Sequence, residues 1–85
     1  MTHQATSRFW NCYDSLPPDI RSLADKNFEL LKSDSGHPSL HLKKVGAFWS
    51  ARVGRDFRAL AVESSGGLTW VWIGNHREYD RMISA

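Results

Sequence analysis

Residues 48–73 have the sequence FWSARVGRDFRALAVESSGGLTWVWI, and this stretch decides the fold. It is rich in β-branched and aromatic residues, which favour strands, and glycine-containing segments interrupt it at 54–56 and 64–67. The pattern therefore predicts a meander of three antiparallel strands joined by two short loops. The predicted strands are residues 48–53, 57–63 and 68–73.

The lengths of these loops predict the register of the strands. A three-residue loop at 54–56 places Arg52 directly opposite Arg58, and a four-residue loop at 64–67 places Arg58 opposite Ile73. Two like charges directly opposite each other destabilise a sheet. The arginine pair therefore indicates an anionic ligand, or a carboxylate nearby.

Side-chain alternation predicts what each face of the meander carries. One face is wholly apolar and is expected to receive the helices. Its members are Trp49, Ala51, Val53, Phe57, Ala59, Ala61, Leu68, Trp70 and Trp72. The other face is exposed and carries the two arginines. Its members are Phe48, Ser50, Arg52, Arg58, Leu60, Val62, Thr69, Val71 and Ile73.

The first half of the chain has a helical period instead. Apolar residues recur at helical spacing over about 5–15 and again from Pro17 to the break at Asp34, which predicts two amphipathic helices. Proline ends the first helix and suits the start of the second, with Asp14 or Ser15 placed as its cap. The two helices are expected to form a hairpin against the apolar face of the sheet.

Two further elements complete the predicted fold. Residues 40–45 form an edge strand, where Lys43 and Lys44 discourage pairing with another sheet. Residues 77–83 form a C-terminal helix whose cap is Asn75. The fold class is α+β: an N-terminal helix hairpin packed on a twisted antiparallel four-stranded sheet, with a short C-terminal helix.

The composition fits a single domain over residues 1–85. The hydrophobic fraction is 41% and the charged fraction 24%, which are ordinary values for a folded protein. Cys12 is the only cysteine, so an intrachain disulfide is excluded. Pro38 lies between His37 and His41 and argues against a helical pair of ligands, so neither a metal ion nor a cofactor is expected. We see no signal peptide and no membrane-spanning run, which predicts a cytoplasmic protein without a membrane partner.

Basic residues concentrate between positions 43 and 58, although the net charge of the chain is only +2. Five lysines and arginines stand there against the single acid Asp56, so the local charge is +4. A basic segment on a nearly balanced protein indicates an anionic partner, and a solvated charged face is the alternative.

Four segments together resemble the RelE/ParE superfamily, the toxin components of bacterial toxin–antitoxin pairs. Residues 48–60 resemble the central hairpin of that family, and residues 72–80, WIGNHREYD, resemble its last strand and catalytic tail. The segments LPPDI at 16–20 and HPSL at 37–40 are also similar to members of the family. The resemblance covers roughly residues 8–85.

The resemblance implies the toxin of a type II toxin–antitoxin system. Many members are metal-free endoribonucleases that cleave messenger RNA, often on the ribosome, and so inhibit translation. A ParE branch instead inhibits DNA gyrase and cuts nothing, and an inactive toxin-like binding domain is a third hypothesis. The implied protein partner is a cognate antitoxin of the helix-turn-helix kind, encoded adjacently.

Four side chains are the candidate catalytic residues. Arg52 and Arg58 match the basic strand residues of the family, and their guanidinium groups suit the charged phosphorane of RNA cleavage. Histidine titrates near neutrality, so His76 is a candidate acid or base. Tyr79 is an alternative acid or a stacking surface for a base. The candidate RNA-binding residues are Lys43, Lys44, Arg55 and Arg77.

Each candidate also has a structural alternative. Arg58 suits an ion pair with Glu78 or Asp80, His76 suits a helix cap or turn, and Tyr79 has the helical spacing of a core residue. The chain also departs from the family twice. Its N-terminus looks too short for the usual first strand, and Ser50 stands where a second basic residue is often found.

Overall fold

The computed structural model describes residues 2–84. Within that range five strands form one sheet in the order β1-β5-β4-β3-β2, so the α+β fold is confirmed with one strand more than predicted. The elements are β1 (Thr2–Ala5), α1 (Ser7–Asp14), α2 (Pro18–Ser33), a 3-10 turn (Pro38–Leu40), β2 (Lys43–Val45), β3 (Phe48–Val53), β4 (Phe57–Ser64), β5 (Gly67–Asn75) and α3 (His76–Ser84). None of these helices has the length and apolar character needed to cross a membrane.

The additional strand is β1, which runs parallel to β5 and pairs with it from Gly67 to Trp70. The prediction that the N-terminus is too short for a strand was wrong, because four residues suffice when the backbone does the pairing. A Cβ at position 67 would overlap the carbonyl of Thr2, so β1 reaches the sheet only beside a glycine. His3 adds a side-chain bond, because its Nδ1 accepts from the Trp70 indole at 3.2 Å.

The predicted register of the first hairpin is confirmed, since Arg52 lies directly opposite Arg58. The prediction for the next strand was wrong by one residue, because Arg58 pairs with Gly74 and not with Ile73. The cause is a bulge in β5: Trp70 and Trp72 pair with consecutive residues of β4, and Val71 between them has no partner in the register.

The bulge changes which side chains reach the helices. Ile73 packs in the core beneath α1 and α2, and Trp72, predicted for that face, lies on the other one. The remaining predicted apolar residues keep their face. The buried members of this helix-side core are Leu16, Ala24, Leu31, Leu40, Ala51, Val53, Ala59, Ala61, Leu68, Trp70 and Ile73.

The second face of the sheet is covered in part by α3. Tyr79 packs there with Leu60 and Trp72, and all three are buried. The partly buried residues packed against them are Cys12, Phe48, Val71, Met82 and Ile83, and we call these eight residues the α3-side cluster. The prediction of an exposed second face was therefore wrong over this area, and the arginines lie beside an apolar patch.

The helix ends correct one prediction and confirm another. Pro17 occupies the N-cap of α2 without a side-chain bond, and the Ser15 hydroxyl donates instead to the Asn11 carbonyl at 3.2 Å. The predicted cap of α3 is confirmed, because Asn75 Oδ1 accepts from the Glu78 amide at 2.9 Å. The edge strand β2 is shorter than predicted, since residues 38–40 form the 3-10 turn.

Candidate functional site

The centre of the candidate site is the pair Arg52 and Arg58 on β3 and β4. Within residues 2–84 neither guanidinium forms an ion pair with a carboxylate, so the alternative in which Arg58 pairs with Glu78 or Asp80 does not occur. Arg52 Nε donates to the Gly54 carbonyl at 2.8 Å, which holds this side chain against the β3–β4 loop. Two uncompensated cations thus face each other across adjacent strands.

Arg58 is enclosed on several sides. Its Nη1 donates to the Ser50 hydroxyl at 3.5 Å, and its guanidinium carbon lies 5.3 Å from the centre of the Tyr79 ring. Its Nε is buried and has no hydrogen-bond partner in the described part of the chain. A buried donor without a partner costs about 1–3 kcal/mol. Such groups are rare in proteins.

Ser50 has a place in this arrangement that its identity alone did not indicate. It is completely buried, and it lies between Lys43 on β2 and Leu60 on β4. Ser50 stands where the RelE/ParE superfamily often has a second basic residue, and here its hydroxyl accepts a hydrogen bond from Arg58.

The start of α3 brings the tail residues to the arginines. The His76 amide donates to the Asp56 carbonyl at 2.7 Å, which ties α3 to the β3–β4 loop. His76 Nδ1 lies 3.3 Å from Asp80 Oδ2, one helical turn later. The rings of His76 and Tyr79 are 5.5 Å apart between centroids. Since Tyr79 lies against Arg58, the fold brings all four candidate catalytic residues into one region.

These side chains differ in access to solvent. Tyr79 is only 4% exposed, whereas the His76 side chain is about half exposed. An imidazole that contacts a carboxylate through Nδ1 leaves Nε2 for proton transfer to a ligand. The contact between His76 and Asp80 was not predicted from the sequence. Residues four apart on a helix are neighbours, so their spacing could have indicated it.

The two candidate lysines lie on opposite faces of the sheet. Lys43 pairs with Ser50 and therefore shares the face of Arg58. Lys44 shares the other face with Trp49, and its Nζ lies 3.1 Å from Glu63 Oε1. The Trp49 indole also donates to this oxygen, at 2.8 Å. The indole and Lys44 together hold the pKa of the Glu63 carboxyl below its usual value.

The other two candidate RNA-binding residues lie at the rim. Arg55 is exposed in the β3–β4 loop, next to the carbonyl that receives the His76 amide, and Arg77 is exposed in the first turn of α3. Both are on the segments that flank the arginine pair.

A separate apolar cleft of about 80 Å³ lies in the helix layer. Phe9, Tyr13 and Phe28 line it, together with Trp10, which is half exposed. Its lining includes Arg52 but not Arg58, His76 or Tyr79, so the cleft shares only one residue of the arginine pair with the candidate site. Within residues 2–84 no group of histidine, cysteine and carboxylate side chains is arranged to hold a metal ion.

Comparison with known proteins gives structural neighbours but no sequence match. No protein-family model matches the chain, and no curated protein matches it. A chain of the RelB–RelE antitoxin–toxin complex from Methanococcus jannaschii is similar, with a TM-score of 0.71 and 18% identity over 92% of this chain and 96% of that chain. A copper-bound mutant toxin from Helicobacter pylori is similar with a TM-score of 0.61 and 16% identity, over 92% of this chain and 97% of that chain.

These likenesses establish the fold of the chain. At such identities the shared feature is the architecture, and it extends over nearly the whole length of both partners in each comparison. The chain therefore has the RelE-like fold, as the resemblance of its hairpin and tail predicted.

Proposed function

We propose that this protein is the toxin of a type II toxin–antitoxin pair and a metal-independent endoribonuclease that cleaves messenger RNA and inhibits translation. The RelE-like fold supports the class. The observation that carries the activity is Arg58, a half-buried guanidinium that lies opposite Arg52 and lacks a carboxylate partner within residues 2–84.

The reaction requires what this site offers. The ribose 2′-oxygen attacks the adjacent phosphorus and loses its proton to a base, and the departing 5′-oxygen takes a proton from an acid. Between these steps the phosphorane carries extra negative charge. A well-aimed donor at such a charge is worth about 2.7–4 kcal/mol of barrier. Arg52 and Arg58 are proposed to hold the phosphate, and His76 to move one of the protons.

The surface around the pair suits a nucleic-acid backbone. Lys43 shares the arginine face, while Arg55 and Arg77 are exposed at its rim. Charge of this kind binds phosphates without reading sequence. Lys44 is directed to the other face and is held by Glu63, so it joins this surface only by leaving that carboxylate.

The proposed protein partner is the cognate antitoxin, expected to contain a helix-turn-helix domain and to be encoded adjacently. An acidic segment that covers the arginine face would neutralise the charges that we assign to RNA. Messenger RNA, free or on the ribosome, places the proposed activity in the cytoplasm.

A second function is favoured by two observations on the residues around Arg58. Tyr79 is 4% exposed and lies against Arg58. Ser50 stands where the RelE/ParE superfamily often has a second basic residue. A site with less accessible cationic charge suits a toxin that binds DNA gyrase and cuts nothing, or an inactive toxin-like binding domain. Neither of these functions needs an acid or a base.

One set of experiments tests the proposal. Induced expression is expected to stop growth, and co-expression of the adjacent antitoxin gene is expected to restore it. Purified protein is then incubated with RNA alone and with programmed ribosomes, and cut ends are mapped with and without EDTA. Cuts that persist in EDTA support the nuclease. If no cuts form while DNA supercoiling by gyrase falls, the gyrase alternative replaces it. Harmless expression contradicts the toxin assignment.

A further inference from the structure

Tyr79 has an unusual position for a residue expected to contact RNA. It is 4% exposed and belongs to the α3-side cluster with Leu60 and Trp72. Its ring centre lies 5.3 Å from the guanidinium carbon of Arg58, which is within the range of a cation–π contact. The aromatic ring therefore has an intramolecular partner already, and this partner is the proposed phosphate ligand.

This position argues against both roles that the sequence predicted for Tyr79, namely a stacking surface for a base and a general acid. A base can stack only on an open ring face, and little of this side chain is open. A general acid must bring its hydroxyl to within hydrogen-bond distance of the leaving oxygen. Only 4% of Tyr79 is exposed, and within residues 2–84 no hydrogen bond holds its hydroxyl in a fixed direction.

The same contact accounts for how Arg58 is held. Within residues 2–84 the guanidinium has one hydrogen bond, from Nη1 to Ser50, and its Nε is buried without an acceptor. No ion pair fixes it either. A long side chain with so few polar contacts depends on the ring beside it for its orientation. Its Nη2 has no hydrogen bond to a described residue, which leaves this donor for a phosphate oxygen.

We propose that Tyr79 is a positioning residue, whose ring holds the Arg58 guanidinium in place for the phosphate and whose hydroxyl takes no part in proton transfer. The inference rests on the proposed phosphate-binding role of Arg58. It separates the two parts of the tyrosine: the ring face is required, and the hydroxyl is dispensable.

Two substitutions separate ring from hydroxyl. Tyr79→Phe keeps the ring, so single-turnover cleavage is expected to stay within about threefold of wild type. Tyr79→Leu keeps an apolar side chain without a π face, and the rate constant is expected to fall about 10²-fold, the effect of a misplaced catalytic group. Met82→Ala is the matched control, because Met82 packs in the same cluster and its removal leaves both Tyr79 and Arg58 intact. It should lower the melting temperature and leave the rate unchanged.

A second measurement does not depend on cleavage. The Nε–H signal of Arg58 in NMR spectra should carry the ring-current shift of Tyr79 in wild type and Tyr79→Phe, and should lose it in Tyr79→Leu. Titration with uridine 3′-monophosphate should perturb this signal in the first two proteins with at least tenfold higher affinity than in the third. If Tyr79→Leu does not fold, Tyr79→Met takes its place.

The outcomes distinguish the failures. Equal loss of cleavage in Tyr79→Phe and Tyr79→Leu would assign the hydroxyl to catalysis and overturn the inference, as would wild-type rates and signals in Tyr79→Leu. If wild type cuts no RNA but the NMR differences appear, the nuclease proposal fails and the positioning role stands. If the Arg58 signal is the same in all three proteins, the positioning role fails whatever the cleavage result.

Discussion

Arg52 and Arg58 lie directly opposite each other on neighbouring strands, and within residues 2–84 no carboxylate pairs with either of them. Opposed like charges reduce the stability of a sheet. The protein thus keeps an arrangement that costs free energy of folding.

Arg58→Ala is expected to lower RNA cleavage by about 10²-fold or more while the protein stays folded, because one donor to the phosphorane is lost. Arg58→Lys should restore little, since an ammonium group does not reproduce the planar guanidinium. Arg81→Ala removes an exposed arginine of α3 and is the control. Mapping and counting cut ends measures all three. Equal cleavage by wild type and Arg58→Ala would move the site elsewhere.

Lys43 and Lys44 form a matched pair, because adjacent strand residues point to opposite faces. Lys43→Ala should weaken RNA binding and reduce the slope of log affinity against log salt by about one unit. Lys44→Ala should change neither quantity, since that lysine binds Glu63 on the other face. Fluorescence anisotropy with labelled RNA at several salt concentrations measures both. The face assignment is wrong if the two variants behave alike.

His76→Gln is expected to slow cleavage and to make its rate depend less on pH over an assay range of about 5.5 to 8, because the imidazole proposed as the acid or base is removed. Asp80→Asn keeps the imidazole but removes the charge 3.3 Å from its Nδ1, and should give an intermediate rate. Rates measured across this pH range for the three proteins test the assignment. An unchanged profile in His76→Gln would exclude His76 as the acid or base.

Trp70→Ala and Trp72→Ala should each cost about 3–5 kcal/mol of unfolding free energy, because each removes a large buried ring. Urea titration followed by circular dichroism measures this loss. Trp70→Ala should also free His3, whose Nδ1 accepts from the indole. A variant that unfolds at the wild-type urea concentration would contradict the burial of that ring.

The β1 strand is expected to make stability depend on pH through His3. Burial, reinforced by nearby positive charge that includes Lys32, lowers the pKa of the His3 imidazole below its usual 6.5. The folded state therefore favours the neutral ring. The contribution of His3 to the free energy of unfolding is complete above about pH 6.5, and it is lost as the pH falls from there towards the pKa of the folded state. Melting temperatures of wild type and His3→Gln between pH 5 and 8 should converge at the acidic end. Parallel curves would contradict the prediction.

Much of the fold could be predicted from the sequence because its signals are local. The hairpin loop at 54–56 fixes the Arg52–Arg58 register, and Asn75 lies at the cap position of a short helix. The bulge at Val71 could not be predicted, since valine between two tryptophans fits a regular strand equally well. The β1 strand was missed because its pairing uses the backbone and a missing side chain at Gly67, neither of which gives an apolar pattern.

The candidate site was predicted less completely than the fold. The arginine pair followed from the register, but the roles of His76 and Tyr79 came from the family resemblance. The contact of Tyr79 with Arg58 depends on how α3 crosses the sheet, and helical spacing alone does not fix that direction. The involvement of Ser50 could not be inferred, because a serine in a strand is ordinary until its burial is known.

The bulge at Val71 determines on which face of the sheet the later side chains of β5 pack. Trp70 before it and Ile73 after it both pack in the helix-side core, and Trp72 packs against Tyr79 of α3 on the other face. In a regular β5 strand Val71 would pair with Leu60, and every later side chain of the strand would turn to the opposite side. The α3 helix would then begin from the wrong side of the sheet and carry Tyr79 away from Arg58. The contact of α3 with the arginine pair thus depends on a single extra residue in β5. That residue, Val71, is apolar, whereas the side chains it brings together are polar or charged.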